Sequence, residues 1–169
     1  MKQIVLWIGL VIIPVLLKAQ TGLGEDAIRI KLRQLDKMRG TWMLTYPDTA
    51  LLDAISLDTI LTTFTWSAKG DTLAGKQRFK NAHGTSYMYL FYSFNTETSQ
   101  YSYIENDDPD NLPPGAPLII NGDTWTYPNG DNRVIKKFSS NGKIITYYIQ
   151  YLKNGQWVTK RKGAESRIK

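Results

Sequence analysis

The chain has 169 residues, a formal net charge of +6 and no cysteine. This length suits one domain that buries a substantial hydrophobic core. The absence of cysteine excludes disulfides, thiol catalysis, thiolate metal sites and a lipid anchor on an N-terminal cysteine.

The first 20 residues have the pattern of a secretory signal peptide. Lys2 gives a short basic start, residues 4–17 form an almost unbroken apolar run, and Lys18-Ala19-Gln20 follows. An apolar run of 14 residues is short for a membrane span and suits the hydrophobic region of a signal peptide. The alternative is an uncleaved N-terminal anchor, but we expect cleavage after Ala19. The mature domain, residues 20–169, is then exported to the periplasm or the extracellular space with no stable membrane anchor.

Residues 25–39 have the pattern of an amphipathic helix. Ile28, Leu32 and Leu35 recur at helical spacing, Met38 extends their stripe, and charged side chains fill the opposite face. Gly40 follows, and a glycine commonly ends a helix. The pattern therefore predicts one helix before a series of strands that begins at residue 41.

The middle of the chain is strand-like. Alternating runs predict strands at 41–46, 57–67, 72–79, 85–94 and 100–105. The run 85–94 carries aromatic side chains on both faces, which favours a central place in a sheet. Residues 107–117 are rich in aspartate and proline, so we expect a loop there.

The last third of the chain contains four Asn-Gly dipeptides, at 121–122, 129–130, 141–142 and 154–155. Asn-Gly supplies positive φ at both central positions of a type I′ turn, the favoured link of a two-residue hairpin. These turns separate strands predicted at 117–120, 123–127, 133–139, 143–152 and 156–162. An all-β meander of eight to ten antiparallel strands predicts closure into a single barrel, because one sheet of that width would leave exposed edges.

Basic side chains concentrate at the C-terminal end. Residues 132–169 carry ten basic side chains and one acidic side chain, whereas residues 41–131 carry four basic and eleven acidic ones. Such a tail is compatible with nucleic-acid binding. Export argues against a nucleic-acid partner, and the basic residues alternate with strand-forming apolar ones. We therefore interpret the tail as a solvated, positively charged sheet face.

A helix, then Gly40-Thr41-Trp42 entering the first strand, then an antiparallel meander, resembles the lipocalin-like (calycin) barrels. The chain is most similar to uncharacterised families of exported bacterial lipocalin-like domains. These begin with a Leu…Gly-Thr-Trp motif, here Leu35 to Trp42, and end with a Gly…Trp…Arg motif, here Asn154-Gly155-Gln156-Trp157 and Arg167. The resemblance implies an up-and-down barrel capped by the N-terminal helix. It also implies that Trp42 packs across the closed end, beneath a basic residue of the last strand, Arg161 or Arg167.

Catalytic and metal-binding patterns are weak in this sequence. His83, the single histidine, falls in a predicted hairpin loop, where haem ligation or Ser-His-Asp catalysis competes with a merely solvated side chain. An oxygen-rich cluster in the loop at 107–117 would suit calcium, but its spacing is not that of an EF-hand and Pro109 stiffens it. Its members are Asp107, Asp108, Asp110 and Asn111.

Paired carboxylates for acid–base chemistry are not recognisable either. The glutamates are Glu25, Glu97, Glu105 and Glu165, and each lies in the helix, in a loop or at a strand end, with no sign of burial in a pocket. We therefore expect no catalytic residue, no metal and no cofactor.

Aromatic residues remain as candidates for a binding site. Alternation along the strands groups them on shared faces without fixing which face points inward; the candidates are Phe64, Trp66, Tyr89, Phe91, Tyr101, Tyr103, Tyr147 and Tyr151. In a filled barrel many of them would be core. We predict a non-catalytic monomer that binds a small hydrophobic or amphipathic molecule in an aromatic-lined interior, away from Trp42. The alternative is a filled barrel whose basic C-terminal sheet face contacts an anionic component of the cell envelope.

Overall fold

In the computed structural model, residues 23–46 and 57–169 are described, and they form one helix followed by ten strands. Helix α1 spans Glu25–Leu35 and continues as a 3-10 turn over Asp36–Met38. The strands are β1 (Gly40–Tyr46), β2 (Leu57–Trp66), β3 (Thr72–Asn81), β4 (Gly84–Asn95), β5 (Gln100–Asn106), β6 (Ala116–Asn121), β7 (Thr124–Asn129), β8 (Asn132–Phe138), β9 (Ile144–Lys153) and β10 (Gln156–Arg167). Within this part of the chain, no helix is long and apolar enough to cross a membrane. The predicted signal peptide and its cleavage site after Ala19 lie outside the described residues.

The strands close into an antiparallel up-and-down barrel. Each strand pairs with its neighbour in sequence, and β1 also pairs with β10, so that the first and last strands complete the ring. Closure removes the exposed edges that a single open sheet would have. The predicted all-β, lipocalin-like barrel with one helix before its first strand is confirmed.

The barrel has two different ends. The base is the end at which β1 begins and β10 ends, and α1 lies against it. The mouth is the opposite end, where the connections β3–β4, β5–β6, β7–β8 and β9–β10 lie. Because the core residues of α1 belong to the base, any interior space must lie nearer the mouth.

Helix α1 is held to the base by its apolar stripe and by polar contacts. Leu35 and Met38 are completely buried. The indole nitrogen of Trp66 donates a hydrogen bond of 2.9 Å to the Asp36 carboxylate. The 3-10 turn over Asp36–Met38 ends the helix, whereas Gly40 already belongs to β1. Gly40 directly follows the C-cap residue Arg39 and has positive φ, so it follows the helix as predicted and also begins β1.

The four Asn-Gly dipeptides do not form four identical turns. At 154–155 both residues have positive φ, 52° and 76°, as a type I′ turn requires. In the β6–β7 connection Asn121 still pairs with Thr124, so the loop is Gly122–Asp123 and positive φ occurs at the glycine alone. The same shift occurs at 129–130, where Asn129 pairs with Asn132. At 141–142 the glycine alone is positive in a longer loop. The prediction of type I′ turns is thus wrong at three of the four sites.

Trp42 and Arg167 fasten the base. The Trp42 side chain is 1 % exposed, and its indole nitrogen donates a hydrogen bond of 2.7 Å to the Met38 carbonyl oxygen. The guanidinium carbon of Arg167 lies 4.6 Å from the Trp42 ring centroid, and the same guanidinium donates to the Lys37 carbonyl oxygen. This contact joins the helix, the first strand and the last strand.

Gly40 is needed because the C-terminal backbone passes directly over it. Its φ is 113°, and a Cβ at this position would overlap the Lys169 carbonyl oxygen. The neighbouring Thr41 amide donates to that same oxygen at 3.0 Å, and the Ile168 amide donates to the Thr41 carbonyl oxygen at 2.8 Å. The glycine of the Gly-x-Trp motif therefore serves closure between the first and last segments of the barrel.

Large aromatic side chains fill the interior next to the base. Trp125 packs against Phe138 with ring centroids 5.0 Å apart and against Tyr92 at 5.4 Å. Phe64 also contacts Tyr92, and a Cβ on Gly75 would overlap the Phe64 ring. Together these rings form the floor beneath the remaining interior space.

Candidate functional site

A cavity of about 180 Å³ lies inside the barrel above this floor. Its lining mixes apolar, phenolic, amide and charged side chains, which all occupy inward positions on their strands. The lining residues are Leu44, Ile60, Thr62, Gln77, Phe79, Leu90, Tyr103, Glu105, Tyr127, Asn129, Val134, Lys136, Tyr147, Ile149 and Glu165. The cavity is therefore amphipathic rather than purely aromatic.

A buried ion pair stands in the wall of this cavity. Lys136 and Glu165 are 7 % and 8 % exposed, and the Lys136 ammonium lies 3.3 Å from one Glu165 carboxylate oxygen. Burial, the largest single influence, lowers the pKa of Lys136. The charge and hydrogen bond of Glu165, together with nearby groups such as Glu105, raise it by more, so the pKa of Lys136 lies above its usual value. The ammonium therefore stays charged at neutral pH.

The second Glu165 oxygen, Oε2, is buried and accepts no hydrogen bond from the described residues. A buried carboxylate oxygen without a donor costs free energy, so such groups usually have a partner in the protein or in a bound molecule. Glu165 lines the cavity, although Oε2 itself has almost no accessible surface.

Three tyrosines surround the ion pair. The rings of Tyr103 and Tyr127 have centroids 4.2 Å apart, and Tyr92 packs on Tyr103 at 5.2 Å. Burial raises the pKa of all three phenols above the ordinary value, and for each of them nearby Glu105 adds to this effect. The phenols therefore remain protonated, and the Tyr103 hydroxyl donates a hydrogen bond to the Glu105 carboxylate.

Glu105 and Gln77 extend the polar surface toward the mouth. Glu105 is exposed although it lines the cavity. The Gln77 amide nitrogen donates a hydrogen bond of 2.9 Å to the Thr62 hydroxyl across β2 and β3. The apolar side chains Leu90 and Val134 also line the cavity, and Leu90 is the cross-strand neighbour of Glu105.

The predicted ligand-lining residues divide into four groups. Tyr103 and Tyr147 line the cavity. Three others face the interior near the base, where they belong to the core or pack against it: Phe64, Trp66 and Tyr101. Tyr151 occupies an inward position near the mouth end of β9 but is not part of the lining.

Tyr89 and Phe91 lie on the outer face of the barrel, so their predicted place in the lining is wrong. In β4 the buried positions are Leu90, Tyr92 and Phe94, which leaves the odd-numbered residues on the opposite face. Aromatic residues occupy both faces of this strand, and their pattern therefore does not identify the inner one.

The two arginines proposed for closure have different positions. Arg167 covers Trp42, as described above. Arg161 lies opposite Ile149, next to the bulge in β10, and is half-buried in the half of the strand nearer the mouth. Arg161 therefore takes no part in fastening the base.

The candidates for metal or haem chemistry lie outside the cavity. His83 is exposed in the β3–β4 turn, where its backbone amide donates to Asn81. In the acidic loop the Asp108 carboxylate accepts the Asp110 amide at 3.0 Å, so this carboxylate is used within the loop. Among residues 23–46 and 57–169, no three His, Cys, Asp or Glu side chains are grouped as a metal site requires.

The charged part of the cavity was missed at the sequence level. The expectation that no glutamate is buried in a pocket is wrong for Glu165. A signal was present, because Lys136 alternates with Val134 and Phe138 on one face of β8, whereas a solvated face would place polar residues there. The partner on β10 is 29 residues away, and no local pattern identifies it.

No family model matches this chain, and no curated protein matches it either. Among solved structures the chain is similar to the siderocalin Ex-FABP, described as functioning through dual ligand specificities. The two share 9 % sequence identity with a TM-score of 0.39, over 78 % of this chain and 70 % of the other. A similarity at this level adds no argument about function. The closed strand order, the helix before β1 and the Trp42–Arg167 contact make the fold lipocalin-like.

Proposed function

We propose that this protein is an exported, non-catalytic carrier that binds a small amphipathic molecule inside its barrel. The observation that carries the proposal is the cavity of about 180 Å³ above a filled floor. Its volume is that of roughly six water molecules at ~30 Å³ each. Pockets for drug-sized ligands are usually about 300–1,000 Å³. The size therefore favours a compact ligand of about ten non-hydrogen atoms over a haem or a long acyl chain.

The protonation of the lining supports binding rather than catalysis. Lys136 is held as an ammonium, and the phenols of Tyr92, Tyr103 and Tyr127 are held neutral. At neutral pH none of these four groups is a base or an activated nucleophile. Their protonation states are fixed, as suits a site that binds a ligand unchanged.

Native mass spectrometry of the protein purified under mild conditions from its own cells tests the carrier function. We expect an additional mass of a few hundred daltons or less that disappears when the protein is denatured. The variant Leu90→Trp places an indole in the cavity and should abolish the additional mass. The matched control Phe91→Trp lies on the outer face of the same strand and should retain it. An identical mass for wild type and Leu90→Trp contradicts binding in this cavity.

The mass of the mature chain tests export. The secreted or periplasmic protein should begin at Gln20, with or without cyclisation of that residue. Recovery of the intact chain with Met1 in the membrane fraction would favour the uncleaved anchor instead.

A second candidate function rests on the outer face of β8–β10. Tyr148 lies between the ammonium groups of Lys137 and Lys162, at 5.6 and 5.7 Å from its ring centroid. Arg133 covers the Trp157 ring at 4.3 Å. The single acidic residue of this region, Glu165, points into the barrel. The face is therefore cationic and aromatic, without a carboxylate to neutralise it.

The hairpin between β9 and β10 adds an apolar tip to this face. Leu152, Trp157 and Val158 are 55 %, 40 % and 38 % exposed, and Lys153 lies beside them in the turn region. Exposed apolar residues next to cations suit the surface of an anionic membrane. The candidate function is docking on anionic lipid of the cell envelope. The cavity in the interior argues against the version of this hypothesis with a filled barrel.

Sedimentation with vesicles tests membrane docking. Vesicles containing phosphatidylglycerol should pellet the protein at low ionic strength, and pure phosphatidylcholine vesicles should not. The double variant Lys137→Gln/Lys162→Gln should lower the bound fraction severalfold. Lys76→Gln/Lys80→Gln, on β3, removes the same charge and should not. Equal losses for both double variants would indicate a non-specific effect of net charge and contradict docking through this face.

A further inference from the structure

The charges in the cavity wall do not balance. The charged residues that line it are Glu105, Glu165 and Lys136, so their formal sum is negative. Arg161, the next basic residue at an inward position of β10, is not part of the lining. A negative interior attracts a cation and disfavours an anion, because low-dielectric walls strengthen both effects.

The ion pair uses one half of the Glu165 carboxylate. Lys136 approaches Oε1 at 3.3 Å, whereas Oε2 is buried without a donor among the described residues. The Glu165 side chain is 10 % exposed, so bulk water does little to solvate this oxygen. A ligand with a charged N–H group would supply the missing donor and the missing positive charge together.

The tyrosines around the carboxylates suit the same kind of ligand. The faces of Tyr103 and Tyr127 lie together at 4.2 Å beside Glu165 and Glu105 in the lining. Their rings pack on each other, so what they offer a ligand is their hydroxyl oxygens, which accept hydrogen bonds. The apolar residues Leu90 and Val134 provide a surface for the hydrocarbon part of the ligand.

We infer that the ligand of this cavity is a small organic ammonium, whose charged nitrogen binds the Glu165 carboxylate and whose apolar part lies against Leu90 and Val134. The inference rests on the proposed carrier function and adds the chemical class of the ligand. Lys136 has a positioning role, because it fixes the Glu165 carboxylate through Oε1.

Three probes of similar size and different charge test the inference: 2-phenylethylamine, 2-phenylethanol and phenylacetate, each titrated into the wild-type protein at pH 7 by calorimetry. We expect the amine to bind at least tenfold more tightly than the alcohol or the acid. Equal or tighter binding of the alcohol or the acid overturns the ligand class but leaves the carrier function standing. Failure of all three to bind contradicts both proposals.

The variant Glu165→Gln keeps the shape of the side chain and removes its charge. It should weaken binding of the amine at least tenfold and leave the affinity for the alcohol within about twofold of the wild-type value. General damage to the cavity would not produce such a selective effect. Glu97→Gln, a matched change in the β4–β5 turn at the base, should leave all affinities unchanged. If Glu165→Gln does not fold, the double variant Lys136→Met/Glu165→Gln removes both charges and should show the same selective loss. If the variant that folds still binds the amine at least tenfold more tightly than the alcohol, the proposed role of Glu165 is overturned.

Discussion

At the scale of single residues, the Lys136–Glu165 pair dominates the interior. Two buried charges cost desolvation free energy, which their mutual attraction offsets while both are present. Removal of one partner leaves the other buried and alone. The pair therefore ties the stability of the barrel to the same two side chains that give the cavity its charge.

A double-mutant cycle measures this coupling. Lys136→Met should lower the free energy of unfolding by about 3–5 kcal/mol, because it leaves the Glu165 carboxylate buried without its cation. The double variant Lys136→Met/Glu165→Gln should recover a large part of that loss, since no unpaired charge remains. Urea denaturation of the four proteins gives the values. Additive effects of the two single changes would indicate that the pair is not coupled.

Burial of the tyrosines predicts loss of stability in alkali. The pKa of Tyr92 is raised well above 10.0 by burial, so the folded phenol keeps a proton that the unfolded chain releases. The free energy of unfolding therefore falls as pH rises above about 10, by up to ~1.4 kcal/mol per pH unit for each such group. Lys136 acts in the same direction, because its pKa is also raised and its stabilising contribution is lost at high pH. Near neutral pH these groups do not make the free energy of unfolding depend on pH.

Tyr92→Phe should make the decrease of the free energy of unfolding with pH less steep, by up to ~1.4 kcal/mol per pH unit, which corresponds to one proton. Urea denaturation at several pH values between 8 and 11.5 measures the slope for wild type and variant. Tyr87→Phe, at an exposed position of the same strand, is the control and should leave the slope unchanged. An identical slope for Tyr92→Phe and wild type would contradict the assignment.

At the scale of elements, the β9–β10 hairpin shapes the cavity through one glycine. Gly163 pairs with Tyr147 in the register of these strands. A Cβ at position 163 would overlap the Tyr147 phenol, and the ring therefore rests directly on the backbone of β10. The position of this lining residue thus depends on a residue that contributes no side chain.

Gly163→Ala should push the Tyr147 ring out of its place. We expect a loss of about 1–3 kcal/mol in the free energy of unfolding, as for other overpacked interiors. Binding of the best of the three probes should weaken as well, because the displaced ring lines the cavity. Gly24→Ala, where an added Cβ meets nothing within 4 Å, is the control and should cost less than about 1 kcal/mol. Unchanged stability and binding in Gly163→Ala would show that Tyr147 is not held by this contact.

The sequence was enough to predict where the helix and the strands lie. It was not enough to predict which face of each strand points into the barrel or which side chains meet across strands. Alternation and turn dipeptides locate the strands because both are local properties of the chain. Inward and outward faces depend on neighbouring strands, and β4 has aromatic residues on both, so Tyr89 and Phe91 were misplaced. Lys136 and Glu165 meet across β8, β9 and β10, through a register that the sequence does not encode locally. The pairing of these two charges was for this reason visible in the structure alone, although the place of Lys136 between Val134 and Phe138 is a local sign of its burial.

At the scale of the whole molecule, closure depends on the contact between the two ends of the described chain. Arg167→Met should lower the free energy of unfolding by about 2 kcal/mol, because it removes a cation–π contact and a hydrogen bond to the helix. Arg161→Met, six residues earlier in the same strand, lacks these contacts and should cost less than about 1 kcal/mol. Thermal unfolding followed by tryptophan fluorescence compares the two. An equal loss for both variants would contradict the special role of Arg167.

The pairing of β1 with β10 also bears on how the barrel folds. The other pairs join strands that are neighbours in sequence, and they form as hairpins early and locally. Trp42 and Arg167 are about 125 residues apart, so bringing them together costs roughly 4 kcal/mol of loop-closure entropy when nothing else is formed. When the neighbouring strands of the meander have already paired, this entropy cost is smaller, because the two edges of the curved sheet then lie near each other. We therefore expect ring closure to be the last event. The cavity, which is lined by Leu44 of β1 as well as by Glu165 of β10, is complete only after that step.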